Sequence, residues 1–390
     1  MEYPEERYYK LHRLLLTSVG LWPYQSKWST YLIRTVITII SLLGIIVQMS
    51  SFFTVDNIDT DYISDLLPIL LCTFGIVGHM YLRIMHIDKI RELFERISND
   101  WKFQKTRYEI KVMHKHAEIT RLFTFYYLLA NLIIIVAYYI WMSVPEILDV
   151  ISPMNESRLR IQPFKAKFFI DEERYFYFIR FLICALIFTI LITSITYLVT
   201  SVAFVQHVCG MCELLGYRAE RLFSVAEETA KSDLIRSKTY CGNIVVFIRL
   251  HYNIIKFIDL IEIIHTIPFF MDTLGLIFVT SIALMQILFI DDIERVYRFL
   301  YTSTMAMVIL FSFNFLGQKI TDANLNACEK LYNSMWYNAN ISEQKLLILI
   351  LKRRFYPTVI TACKFYVMSL QSFGKISQTI LSYFMFMRQF

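Results

Sequence analysis

The chain has 390 residues, a length that ordinarily means two or three soluble domains. Its composition excludes them: apolar residues make up 56%, charged residues 18%, and the mean hydropathy is +0.47, against about 25% charge in a soluble domain. The net charge of +6 lies scattered between apolar runs without a continuous basic stripe, which excludes nucleic acid as a partner and leaves an integral membrane protein.

The N-terminal segment mixes charges (Glu2, Glu5, Glu6, Arg7, Lys10, Arg13) around one short apolar stretch, Leu14 to Leu16, and forms no cleavable signal. The first long apolar run is therefore expected to serve as both signal and anchor. A bilayer-crossing helix needs about 20 mostly apolar residues. Seven stretches qualify, at 31–53, 62–85, 122–144, 176–204, 264–290, 299–316 and 357–387. They lack the alternation of barrel strands, so helices must satisfy the backbone in lipid. The predicted fold is an all-α membrane protein with seven transmembrane helices.

Lysine and arginine set the orientation. The segments 1–30, 85–121, 209–260 and 317–357 hold 26 of them, whereas 54–61, 145–177, 291–298 and the tail hold 8. By the positive-inside bias the N-terminus is cytosolic, and seven spans then put the C-terminus outside, opposite to a G-protein-coupled receptor. Asn155, in the sequon Asn155-Glu156-Ser157, falls on the outer side as a glycosylation site; a second sequon at Asn340 falls inside and is expected to be silent. The chain divides into a cytosolic N-terminal segment (1–30), helices one to four (31–204), a cytosolic connection (205–263), helices five and six (264–316), a second cytosolic connection (317–356) and the last helix (357–390).

None of the seven cysteines (Cys72, Cys184, Cys209, Cys212, Cys241, Cys328, Cys363) lies in an outer connection, so no extracellular disulfide is expected. Cys209-x-x-Cys212 beside His207 has no second pair to complete a metal site, and small apolar packing is its expected role. No nucleophile elbow, phosphate loop, zinc-helix motif or dinucleotide fingerprint is present, and neither an enzyme nor a cofactor is expected. Charge at mid-membrane is costly and usually faces protein or water. Arg34, His79, Glu262, His265, Asp272, Lys364 and Lys375 stand in or near spans. Arg34 is expected to snorkel. Lys375 is expected to meet a hydrated path or an acidic partner such as Asp272. Gly75 and Gly78 allow either close helix contact or open space for a ligand.

Two stretches carry a resemblance. Gly20-Leu21-Trp22-Pro23 reads as an interfacial turn in which Pro23 ends a short helix. The C-terminal third carries Gly317, Tyr332, Trp336, Pro357, Phe365, Leu370 and Phe373 and ends Ser382-Tyr383-Phe384-Met385-Phe386-Met387-Arg388-Gln389-Phe390. With seven spans and a cytosolic N-terminus, this resembles an insect odorant receptor. The Tyr383 and Gln389-Phe390 ending is also similar to the related gustatory receptors.

The resemblance implies an odorant-binding subunit of a ligand-gated, non-selective cation channel in the plasma membrane of olfactory sensory neurons. It implies a heterotetramer with odorant co-receptor subunits, a small volatile ligand, permeant cations and surrounding membrane lipid. The inner ends of helices four to seven would form a cytosolic anchor, and helix seven would line the pore. Phe386 and Phe390 would be gate-like and Gln389 would stand at the narrow part. An outer-half pocket between helices two, three, four and six would draw on Leu71, Phe74 and Gly75, then Ala137, Tyr138 and Trp141, then Phe178, Phe181 and Leu182, then Tyr301, Thr302 and Met305. The alternatives are a gustatory channel assembling without a co-receptor and, against the charge bias, a G-protein-coupled receptor. A transporter would show internal repeats, which are absent.

Overall fold

The computed structural model describes residues 7–54, 60–102, 106–152, 158, 174–222, 233–289 and 293–387. In chain order the longer helices are α1 (Lys10–Ser18), α2 (Lys27–Thr54), α3 (Thr60–Met85), α4 (Ile87–Lys102), α5 (Arg107–Ile151), α6 (Phe176–Arg221), α7 (Asp233–Phe289), α8 (Ile293–Tyr332), α9 (Ile341–Leu351) and α10 (Leu370–Met387). A two-residue antiparallel hairpin, β1 (Thr361–Ala362) and β2 (Tyr366–Val367), precedes α10. Among the described residues six helices (α2, α3, α5, α6, α7 and α8) are long and apolar enough to cross a membrane.

The seventh predicted span needs correction. Residues 357–369 are not helical: they form the hairpin, and α10 keeps only 18 residues. The turn places Cys363 (φ 52°) and Lys364 (φ 63°) in the left-handed region, which a helix cannot accommodate. Among the described residues the connections at 85–121 and 205–263 are largely helical. Polar residues there extend α5, α6 and α7 beyond the apolar runs and build α4.

Local chemistry explains these boundaries. α5 begins at a reciprocal cap, in which Thr106 N donates to Glu109 Oε2 (2.8 Å) and Glu109 N donates to Thr106 Oγ1 (3.3 Å). Arg218 near the end of α6 donates to the same carboxylate, joining the two helix ends. α4 buries Ile90, Leu93 and Ile97 on one face, and Arg96 donates to Glu92 at 2.8 Å on the rest of its surface.

α1 ends at Ser18, and the chain turns away at Gly20, not at Pro23. Gly20 (φ 71°) donates to Thr17 O and Leu21 donates to Leu16 O, a pairing that requires left-handed backbone at the glycine. Arg34 donates to the Gly20 carbonyl at 2.9 Å, so this arginine fixes the turn. Leu21 is buried, and Trp22 packs edge-on against Phe94 of α4.

The largest core surrounds the C-terminal half of α6. Residues Leu198 to Ala219 are almost continuously buried against α7 and α8, with Cys209 and Cys212 inside. This is why the fourth span shows little amphipathic contrast: it is covered on nearly every side.

Candidate functional site

A polar cluster sits where α3, α6, α7 and α8 meet. His79 Nε2 lies 2.6 Å from Asp272 Oδ1 and links α3 to α7. The Arg83 guanidinium lies over the Tyr197 ring at 4.4 Å, and its Nη2 donates to the Tyr197 carbonyl at 3.4 Å. His265 is held between Ile261 O (2.9 Å from Nδ1) and Ser201 Oγ (3.1 Å from Nε2). Phe313 of α8 and Phe269 of α7 meet the Tyr197 ring edge-on. The Tyr197 hydroxyl, Arg83 Nε, His79 Nδ1 and Asp272 Oδ2 have no hydrogen-bond partner among the described residues. Buried polar atoms of this kind carry a desolvation cost and mark places held by more than packing.

Asp272 therefore pairs with His79, which removes it as the acidic partner of Lys375, one of the two surroundings expected for that lysine. Lys375 is exposed on α10 and lines a groove of about 640 Å³ with Gln378, Thr379, Ser382, Tyr383 and Phe386. Lys375, Gln378, Thr379 and Ser382 recur at helical spacing and give α10 one polar face. Its opposite face carries Ile376, Ile380 and Phe384, which with Ile277, Phe278 and Met285 of α7 line an apolar recess of about 460 Å³. Phe386 is thus placed in the open groove, whereas Gln389, Phe390 and Asn155 lie outside the described residues.

The residues expected to bind ligand fall into two groups. Leu71, Gly75, Tyr138, Leu182, Thr302 and Met305 are partly buried, whereas Phe74, Ala137, Trp141, Phe178, Phe181 and Tyr301 are exposed. Phe181 is 69% exposed and Trp141 is 43% exposed, so neither is enclosed within the single chain. Tyr138 and Trp141 lie together, 6.0 Å apart at their ring centres. The C-terminal part of α5 and the start of α6 are joined by Arg180, which donates to Glu146 Oε1 and to the Met142 carbonyl, each at 2.6 Å. Leu66 of α3 packs with Ile179 and Ile183 of α6. A Cβ added at Gly75 or at Gly78 meets nothing within 4 Å, so both border open space and neither seats a neighbouring helix.

The hairpin before α10 is pinned from two sides. On α7, Thr361 donates to Glu262, and Cys363 N donates to Thr266 Oγ1 at 2.7 Å. On α8, Asn314 Oδ1 accepts from the Tyr366 hydroxyl at 2.7 Å and from Ser369 N at 3.2 Å. Ser369 in turn caps α10, its Oγ accepting from Ser372 N at 3.1 Å. Burial pushes the Tyr366 hydroxyl up to about 12. Asn314, Tyr197 and Arg83 were not singled out from sequence. The available signal was a polar residue at the middle of an apolar run, which is weak for a lone asparagine.

The sequence profile of the seven-transmembrane odorant receptor family matches residues 60–381. The chain belongs to that family. The putative odorant receptor 85d of Drosophila melanogaster is 30% identical over 99 residues, a match spanning 25% of this chain and 23% of that protein. Two structures of the insect olfactory receptor OR5 from Machilis hrabei share the fold. The one in complex with eugenol has a TM-score of 0.78 at 12% identity, and the other has 0.75 at 13%; each covers 98% of both chains. The receptor is thus a multi-pass helical membrane protein of the odorant receptor class.

Proposed function

We propose that this receptor is an odorant-tuned subunit of a ligand-gated, non-selective cation channel that assembles with odorant co-receptor subunits in the plasma membrane of olfactory sensory neurons. The observation that carries the reading is the two-faced α10. Lys375, Gln378, Thr379 and Ser382 make one continuous polar stripe, with Tyr383 and Phe386 at its outer end, while the other face is apolar. A helix in lipid has no reason to keep such a stripe unless it borders water or a polar partner. Hydroxyls and amides can replace part of a cation's water shell, and a ring of phenylalanines can close a path by dewetting. Phe386 with Phe390 is the proposed gate and Gln389 the proposed narrow point. The charge bias supports a cytosolic N-terminus and an outer C-terminus, with Asn155 glycosylated outside.

The ligand is proposed to be a small volatile, bound among Leu71, Phe74, Gly75, Ala137, Tyr138, Trp141, Phe178, Phe181, Leu182, Tyr301, Thr302 and Met305. The open space beside Gly75 supports the α3 part of this site. Binding opens the pore only through a difference in affinity between closed and open states. The deciding experiment is whole-cell current in a non-neuronal cell expressing the chain alone or with a co-receptor, under a volatile panel. Rapid, GTP-independent current only with the co-receptor is expected. Current from the chain alone would favour the self-assembling gustatory-type channel, and a GTP requirement would overturn the channel reading.

A further inference from the structure

We propose that Asn314 is the residue through which movement of α8 reaches the pore helix α10. The inference rests on the channel reading above and deepens it by naming a route from ligand to gate.

The geometry puts three contacts on one face of α8. Asn314 Oδ1 accepts from Tyr366 Oη and from the backbone N of Ser369, the residue that caps α10. Gly317 follows at i+3, and any Cβ there would collide with the Met368 carbonyl. Gln318 follows at i+4, its Oε1 accepting from Leu370 N at 3.4 Å. The start of α10 is therefore seated directly on the α8 backbone and cannot slide along it without losing all three contacts.

Asn314 is suited to transmission because it is fixed to its own helix. It is 0% exposed, and its amide donates to Leu310 O at 2.9 Å, so the acceptor oxygen is aimed by the helix that carries it. Its neighbour Phe313 packs on Tyr197 and Phe269 in the central polar cluster. About 1.5 Å of rise per residue places Asn314 about 13 Å along α8 from Met305, the innermost of the proposed ligand residues on that helix. A shift or rotation of α8 at its outer half changes the position of Asn314, and through Ser369 it changes the origin and tilt of α10. Two packings of one contact, biased by ligand, are what coupling requires.

The test is a double-mutant cycle in cells expressing the receptor with a co-receptor, at surface levels matched by an extracellular tag. Tyr366→Phe removes one hydroxyl and keeps the ring; Asn314→Ala removes the acceptor. Tyr366→Phe is expected to change the closed–open equilibrium about five-fold, the effect of one buried hydrogen bond, and Asn314→Ala by more, because it also leaves Ser369 N without its acceptor, both read as maximal current at saturating volatile. The double variant is expected to behave like Asn314→Ala alone, because the two share one bond. If Asn314→Ala does not reach the surface, Asn314→Ser takes its place in the cycle. Fully additive effects, or unchanged maximal currents at matched levels, would overturn the coupling and leave the channel reading standing. A wild-type chain that conducts under no volatile with the co-receptor would overturn both.

Discussion

His79 Nε2 and Asp272 Oδ1 stand 2.6 Å apart across α3 and α7, from residues 193 positions apart in the sequence. The pair sits beside Arg83 and the Tyr197 ring, where little water reaches. Asp272→Ala leaves His79 without its acceptor and Arg83 without its neighbouring negative charge. A loss of about 1–3 kcal/mol of stability is expected, and Asp272→Asn, which keeps an acceptor oxygen, should lose less. Thermal unfolding of the purified receptor in detergent checks this, and equal loss from both variants would argue against the bond.

His12 gives a pH prediction outside the spans. Burial lowers its imidazole to about 4, well under the ordinary 6.5. The folded state therefore holds it neutral, with Nε2 3.1 Å from Thr124 Oγ1. The unfolded chain binds the proton first as pH falls, so this contribution is complete above about pH 6.5 and is lost between there and about pH 4. The full loss is on the order of 3 kcal/mol. Melting curves of wild type and His12→Gln from pH 7.5 to 5 should converge toward the acid end.

Two glycines of the receptor are expected to behave oppositely. Gly317→Ala drives a methyl into the Met368 carbonyl, a contact that only a backbone shift can relieve. A cost of about 1–3 kcal/mol and reduced surface delivery follow. Gly75→Ala meets open space and should fold normally while changing the response to ligands. Surface labelling together with dose–response curves separates the two outcomes.

Trp141→Ala tests the proposed ligand site. Loss of the indole beside Tyr138 should change both sensitivity and rank order across an agonist panel, because apolar burial contributes about 25 cal/mol per Å². An unchanged ranking at normal surface levels would remove Trp141 from the site.

Membrane class and family were legible because they rest on long apolar runs and on two short motifs. The Gly20 turn was visible as a motif, but its cause was not: Arg34 reaches back from 14 residues away, and periodicity carries no such information. The 357–369 segment looked like helix because Val359, Ile360 and Val367 extend the apolar run. Tertiary bonds from Thr266 and Asn314 outweigh that pattern and fold it into a hairpin. Lys375 and Asp272 seemed matched by charge alone, yet the cluster pairs the aspartate with the nearer imidazole. Asn340, read as a silent sequon, has a structural task, its backbone N donating to Glu343 Oε2 at the start of α9.

α6 runs for 46 residues without an internal proline. At 1.5 Å per residue it is a rod of about 69 Å, more than twice the roughly 30 Å of bilayer hydrocarbon. A rigid rod that pivots at its midpoint by about 5° swings each tip by about 3 Å. The N-terminal tip carries Phe178 and Phe181, and the C-terminal tip carries the Arg218 bond to Glu109. A displacement at the Phe178 end of this helix is therefore carried, with opposite sign, to the Arg218 end, so the two ends of the receptor move as one lever.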